Sequence, residues 1–410
     1  MLFRHALVQH AAYQGLLRAQ RKELHARIAE LLLEHRPGLA ETEPETLARH
    51  FAGSGQYAEA IQYLLAAGQR ATSRAGQIEA TNHYLAALDL LKELPASPER
   101  DAQEVLLQAL LGGALMATRG FAAPDVYDAF ARARELCVAL GDNPMYCSCL
   151  YGLFTVNASR SNKQEAIALA EEMLATFGRS PVTSWAIAAH FAAGNAMFFQ
   201  GKLKEAQHHF EHAVGLYSDD QHGPLVEQFG DDLAEFSLCY LQWVYLLYGQ
   251  VDVSGSYLDR ATKMANDLNN KNAQTRSISF QMGRAQELGD IAAVAEIAPK
   301  VIDISMKQGY PYWATAGQIG LGWAMANSGQ ETGIEMINAS LGFFDMIGQL
   351  TPQTYWRGYL ISSLISAGRR DDAIEAADYA LGLSEAGLDS FYQAALLRLK
   401  GQAYLMEPAQ

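Results

Sequence analysis

The chain is poor in several residues and patterns on which other folds and activities depend. Four cysteines (Cys137, Cys147, Cys149 and Cys239) in 410 residues are too few for a disulfide framework. Cys147 and Cys149 have no second pair nearby to complete a zinc ribbon, and all four read as small buried hydrophobes in a reducing compartment. No charged-then-apolar leader opens the chain and no 18-residue apolar run occurs, so a cytoplasmic protein without a membrane partner is expected. Basic residues are outnumbered, 31 Lys+Arg against 45 Asp+Glu, and the net charge of −14 repels phosphate backbones. Nucleic acid is therefore not an expected partner. Proline is scarce at 12, and no segment alternates apolar and polar with β-branched residues, so sheet is not expected. No Gly-x-x-x-x-Gly-Lys-[Ser/Thr] phosphate loop occurs, since Gly201-Lys202 leads into Leu203, and no serine sits in a nucleophile elbow. The sequence gives no reason to expect an enzyme, and it implies no cofactor. Disorder is excluded for most of the length, because half the residues are apolar and 19% are charged.

What is abundant is glycine, 34 in all, and it is regularly placed. In Gly194–Ala213 a small residue is followed by Gly201, Leu203, Ala206, Phe210 and Ala213. Gly194 would let two helices approach, Gly201 would end the first in a left-handed conformation, and Ala206 would be small where the second crosses it. The turn glycine returns at Gly249, Gly289, Gly329 and Gly368, in steps of 48, 40, 40 and 39 residues, and Gly55-Gln-Tyr57-Ala-Glu-Ala60 is an upstream copy. Weaker copies centre on Ala80, Ala129 and Ala166. Ser97-Pro98, Ser180-Pro181 and Thr351-Pro352 mark helix starts, with Thr42…Glu45 as a capping-box candidate. This spacing resembles the tetratricopeptide repeat. The resemblance implies an all-α, right-handed superhelical solenoid of helix-turn-helix units, with helices about one turn longer than standard. About nine units would fill residues 41–407, the last one incomplete.

Residues 1–40 do not fit the repeat. Phe3-Arg-His5-Ala-Leu7 through His10-Ala-Ala-Tyr13, then Arg21, Leu24-His25 and Ile28-Ala29, places Leu7, Leu17, Leu24, Ile28 and Leu31 on one apolar side of a helix. With Leu88–Pro95, Ala114–Pro124 and Ala129–Asp142, it resembles the stretch after the winged-helix region in bacterial signal-transduction ATPases of the STAND type. Those ATPases often follow a class III adenylate or guanylate cyclase domain. The resemblance returns in Ala395–Gly401 and implies catalytic parts upstream of Met1. The metal-binding aspartates of such a cyclase have no counterpart here. A natural start at Met1, an excerpt from a longer chain, and an array ending on a lone capping helix all remain open.

Three sets of residues are candidates for function. His208 and His212 lie four apart on a helix, close enough to share a divalent metal, with His209, Asp219, Asp220 and His222 nearby; an exposed polar helix face is the simpler account. Residues 217–235 hold the excess in the 48-residue step and carry Asp219, Asp220, Glu227, Asp231, Asp232 and Glu235. They read as a solvated acidic loop or, functionally, a rim that selects a basic partner. The third set is implied by the repeat, whose first helices line the concave groove: Tyr151, Phe191, Asn195, Phe198, Phe236, Trp243, Arg276, Gln286, Glu287, Trp323 and Tyr355. Aromatics beside a few polar groups suit a protein, a peptide or a small ligand, and packing within the long helices is the alternative. The Lys/Asn clamp for a C-terminal carboxylate is absent, since Phe191 stands where a lysine is needed. The leading expectation is a non-catalytic interaction and regulatory module of a cytoplasmic signalling ATPase or cyclase. A free-standing scaffold and, remotely, a metal-dependent hydrolase built on His208 are the alternatives.

Overall fold

The computed structural model describes residue 13 and residues 15–74, 76–141, 144–387 and 389–407. The Phe3–His10 string with Leu7, and Asp142, lie outside the described residues. Among the described residues there is helix and turn and no strand. The chain divides into two compact units, one of residues 1–114 and 132–143, the other of residues 115–131 and 144–410.

The first unit opens with α1 (Arg18–His35), followed by a single helical turn at Leu39–Thr42, α2 (Pro44–Ser54), α3 (Tyr57–Ser73) and α4 (Gln77–Leu91). The face of α1 that packs is not the expected one. Ala29 is buried, with Leu32 and Leu33 set against Leu39, Leu47 and Phe51. Leu17, Leu24, Ile28 and Leu31 are exposed. The capping box at Thr42 is not formed: α2 starts at Pro44, and the Thr42 hydroxyl donates back to the Gly38 carbonyl at 2.9 Å. The Gly55 turn joins α2 to α3 as expected. The weak copy at Ala80 is α4, whose buried Ala80, Tyr84 and Ala87 face α3 across Gly68. Next come α5 (Pro98–Arg119) and α6 (Pro124–Leu140), each divided between the units, with residues 115–131 in the second. The Ser97 hydroxyl caps α5 by accepting from Arg100 N at 3.2 Å.

In the second unit helices pair as antiparallel hairpins: α7 (Tyr146–Ser159) with α8 (Lys163–Phe177), and α9 (Thr183–Phe199) with α10 (Leu203–Leu216). After a short α11 (His222–Phe229), α12 (Leu233–Leu247) pairs with α13 (Val251–Asp267), and α14 (Lys271–Glu287) with α15 (Ile291–Gln308). Then α16 (Pro311–Asn327) pairs with α17 (Thr332–Met346), α18 (Gln353–Ser366) with α19 (Arg370–Glu385), and α20 (Gln393–Tyr404) follows. The chain is thus a helical solenoid of tetratricopeptide type. The turn glycines behave as their spacing requires: Gly201, Gly249, Gly289, Gly329 and Gly368 all have φ between +73° and +86°, where a side chain would be strained. Ser161 takes the same role at φ +57°, which is why the copy at Ala166 is weak in sequence and regular in structure. At Gly194 a Cβ would stand 2.8 Å from the Phe210 ring, so only glycine lets α9 and α10 close. Ala206, Phe210 and Ala213 are fully buried behind that contact.

The insertion at 217–235 is not a solvated loop. It forms a 3-10 turn at Asp219–Gln221 and then α11, which ends on Gly230 at φ +74°. Asp219 and Asp220 remain exposed, but Asp231, Asp232 and Glu235 are buried.

Candidate functional site

All eleven residues expected in the groove lie on first helices of the hairpins in the second unit. Their seven aromatic rings form one continuous array with others from the same unit, Trp323 joining through Tyr359. Tyr151 of α7 meets Phe191 of α9 at 6.2 Å between centroids, and Phe191 meets Phe236 of α12 at 5.0 Å. Phe198 meets Trp243 at 5.5 Å, and Trp243 meets Tyr355 of α18 at 4.6 Å. Tyr240 fills the middle, stacked on Phe210 at 5.0 Å and on Phe236 at 5.1 Å, with Asn195 hydrogen-bonded to its hydroxyl. Ring pairs at these separations gain specific contact energy beyond their buried area.

Most of these rings are packed into the interior of the unit. Tyr151, Phe191, Phe198, Trp323 and Tyr355 are buried, while Phe236, Trp243 and Glu287 are half-buried. Trp323 packs on Tyr359 and donates its indole N–H to Ser362 Oγ at 2.9 Å. The cause is a set of contacts in which later hairpins reach the ends of earlier first helices. Phe121 packs on Tyr312 at 5.6 Å. Leu350 N donates to the Ser159 carbonyl at 2.8 Å, with Ser161 and Thr351 hydroxyls 2.8 Å apart. Ser390 N donates to the Phe199 carbonyl at 2.8 Å. These pairs lie 190 or 191 residues apart, so successive turns of the solenoid meet in register and bring their aromatics together.

Arg276 and Glu287 are equally committed. Arg276 does not face a ligand: it is buried, with Nε donating to Glu235 Oε2 at 2.8 Å and Nη2 to Asp231 Oδ1 at 3.0 Å, and it lies 4.2 Å over the Phe236 ring. Burial raises the Glu235 carboxyl to about 7 despite the opposing pull of Arg276. Of the acids expected to select a basic partner, Asp231 and Glu235 thus hold an internal cation, and Asp232 caps α12 by accepting from Ala234 N and Glu235 N. Glu287, raised by burial, accepts from the Tyr392 hydroxyl at 2.7 Å. Gln286 is buried, and its Oε1 has no hydrogen-bond partner. The Tyr355 and Tyr359 hydroxyls are 2.9 Å apart.

His208 and His212 are exposed on α10 with ring centroids 6.4 Å apart. A residue outside the motif joins them: His190 of α9 is buried, 4.1 Å from His212 between centroids, and its Nδ1 is 3.0 Å from His209 Nδ1. Burial, then the neighbouring His212 and His209, lower His190 to about 4. Among the described residues no group of three or more His, Cys, Asp or Glu side chains is placed to hold a metal ion. Sequence reasoning also missed Tyr240, Phe280, Phe391 and Tyr392, all in the array. Phe391 and Tyr392 precede α20 as Tyr310 and Tyr312 flank the start of α16, and that recurrence was the available signal.

No family model matches the chain. It is 22% identical over 408 residues to an uncharacterized protein of Rhizobium meliloti (strain 1021), covering 97% of this chain and 39% of that protein. The chain thus spans about two fifths of that relative's length. Among solved structures it is similar to a Rap protein complexed with competence and sporulation factor, with a TM-score of 0.55 and 9% identity over 85% of this chain and 99% of that one. It is also similar to aspartyl phosphate phosphatase F from Bacillus subtilis, with a TM-score of 0.51 and 12% identity over 85% of this chain and 93% of that one. A STAND protein with a tetratricopeptide-repeat sensor from Pyrococcus horikoshii gives a TM-score of 0.46 and 14% identity, covering 94% of this chain and 55% of that one. At such identities the likeness is one of fold. Among the described residues no helix is long and apolar enough to cross a membrane.

Proposed function

We propose that the chain is a non-catalytic interaction module whose inner aromatic face, in the second unit, binds a protein or peptide and regulates a signalling ATPase or cyclase attached to it in cytoplasm. The observation that carries the reading is the continuous array of rings on successive first helices, in which Phe236 and Trp243 are half-buried. Rigid rings with few polar neighbours anchor a partner at low conformational cost. A similar fold is solved in complex with competence and sporulation factor, which supports a binding role for this architecture. The length of the Rhizobium relative supports a place in a longer polypeptide.

A photoreactive phenylalanine analogue at Phe236, with a second at the outward Tyr379 as control, tests the reading in the host cell. One partner cross-linked from position 236 and not from 379 is the expected result. Equal labelling from both positions would overturn it. The regulatory half rests on what is encoded with the module: a phosphate-loop ATPase upstream in the reading frame is expected, and its absence would leave a free-standing scaffold.

A further inference from the structure

Between α9 and α10 four imidazoles come together, His190 from the first helix and His208, His209 and His212 from the second. The Nδ1 atoms of His190 and His209 are 3.0 Å apart. On its other side, His190 Nε2 lies 3.3 Å from the Gly178 carbonyl oxygen. A carbonyl only accepts, so Nε2 carries the ring hydrogen and the neutral ring keeps a lone pair on Nδ1, facing His209. Burial holds the ring neutral, with His190 lowered to about 4 and His209 lowered as well. Neither ring then has to lose a proton for a metal ion to bind at pH 7.

The spacing limits what could sit between them. Two nitrogens 3.0 Å apart, each about 2.0–2.1 Å from a shared ion, subtend roughly a right angle there. That is the cis arrangement of a tetragonal centre and is narrower than the tetrahedral angle of a structural zinc site. A histidine ligand is normally held from behind through its other nitrogen, as the Gly178 carbonyl holds His190. His212 supplies no third ligand. Its ring lies against that of His190 at 4.1 Å between centroids, in keeping with the lack of a three-residue set among the described residues. The outer side is open to water, since His209 is half-buried and His208 and His212 are exposed.

A second pair in the first unit has a similar spacing, with the His25 and His50 Nδ1 atoms 3.1 Å apart. There the Arg49 charge helps to lower both rings, and it opposes any further cation. At His190 and His209 the charges that depress the rings come from neighbouring histidines, with no arginine among them.

We infer that His190 and His209 are the two protein ligands of a divalent transition-metal ion that favours tetragonal geometry, copper(II) or nickel(II), and that this ion pins α9 to α10. The ion replaces the contact between the rings with two metal–nitrogen bonds and takes water in its remaining positions. It binds the closed hairpin and not the unfolded chain, so occupancy stabilises the fold as free metal rises above its dissociation constant.

The test uses the full chain, stripped with a chelator and dialysed, and copper(II) alone as the probe. Calorimetric titration should show one tight ion per chain, electron paramagnetic resonance should show coupling to two imidazole nitrogens, and copper should raise the melting temperature. His209→Gln should weaken binding by no less than the roughly tenfold that losing a hydrogen bond behind a ligand costs on its own. The double variant His208→Gln/His212→Gln changes only exposed positions and should keep the wild-type affinity, as should His50→Gln. If His209→Gln does not fold, those two proteins carry the test, and two-nitrogen coupling retained in both supports the pair. Binding that disappears in the double variant or in His50→Gln, that persists in folded His209→Gln, or that is absent from the wild type would overturn it.

Discussion

Replacing Arg276 with methionine tests the most committed group on the inner face. The side chain keeps most of its length and loses the charge, so Asp231 and Glu235 are left in the core without their cation. Breaking one partner out of a buried pair costs about 3–5 kcal/mol, because the remaining charge has neither water nor counter-ion. Loss of the contact over Phe236 adds up to about 2 kcal/mol for a desolvated cation–π pair. The cost should depend on pH, since the orphaned carboxyls escape it by taking up protons. Urea denaturation followed by circular dichroism should therefore show a loss near 4 kcal/mol at pH 8 and a visibly smaller one at pH 5. Adding Glu235→Gln to the variant should recover part of the pH 8 loss, because a neutral amide is cheaper to bury than a carboxylate. Stability within about 1 kcal/mol of wild type at pH 8 would refute the buried cluster and return Arg276 to the ligand-facing set.

Two further outcomes follow from burial. The folded Glu235 titrates near 7 against about 4.3 in an unfolded chain, so its contribution is fully present below about pH 4.3 and is lost as pH rises through 7. Asp389, raised by burial to about 7, acts with the same sign, whereas His190, lowered to about 4, makes stability rise with pH between about 4 and 6.5. The difference between wild type and Glu235→Gln isolates the first group: it should shift by about 3 kcal/mol against the wild type between pH 5 and 8, and parallel pH profiles would contradict the assignment. Trp323→Ala should cost about 3–5 kcal/mol in a denaturant titration, since the indole is buried and its N–H is spent on Ser362. A loss below about 1 kcal/mol would place Trp323 on an open surface instead.

Much of the hairpin structure was legible because it depends on near neighbours in sequence. Gly201 and its successors at Gly249, Gly289, Gly329 and Gly368 mark turns that any solvent environment would favour, and Gly194 and Phe210 declare one helix crossing within a single unit. Even the weaker copies follow, with Ser161 holding a glycine's conformation where the pattern is blurred. The polarity of α1 was less legible. A helix with Leu17, Leu24, Ile28 and Leu31 on one side and Ala29, Leu32 and Leu33 on another offers two apolar faces, and periodicity does not rank them.

What only the tertiary structure decided is where the inner face points and what fills it. The partners of Arg276 lie 41 and 45 residues away, across a hairpin whose 48-residue step looked like a loop. Thr351 meets Ser161 across 190 residues, and Phe391 reaches Phe198 in the same register. Repeat spacing specifies each unit and its contact with the next, but the small rotation between units is set by side-chain volumes summed over several of them. That accumulated rotation determines whether successive turns stand apart or touch. Here they touch, and most of the rings that the pattern alone would leave lining a groove become core, with Phe236 and Trp243 left half-buried.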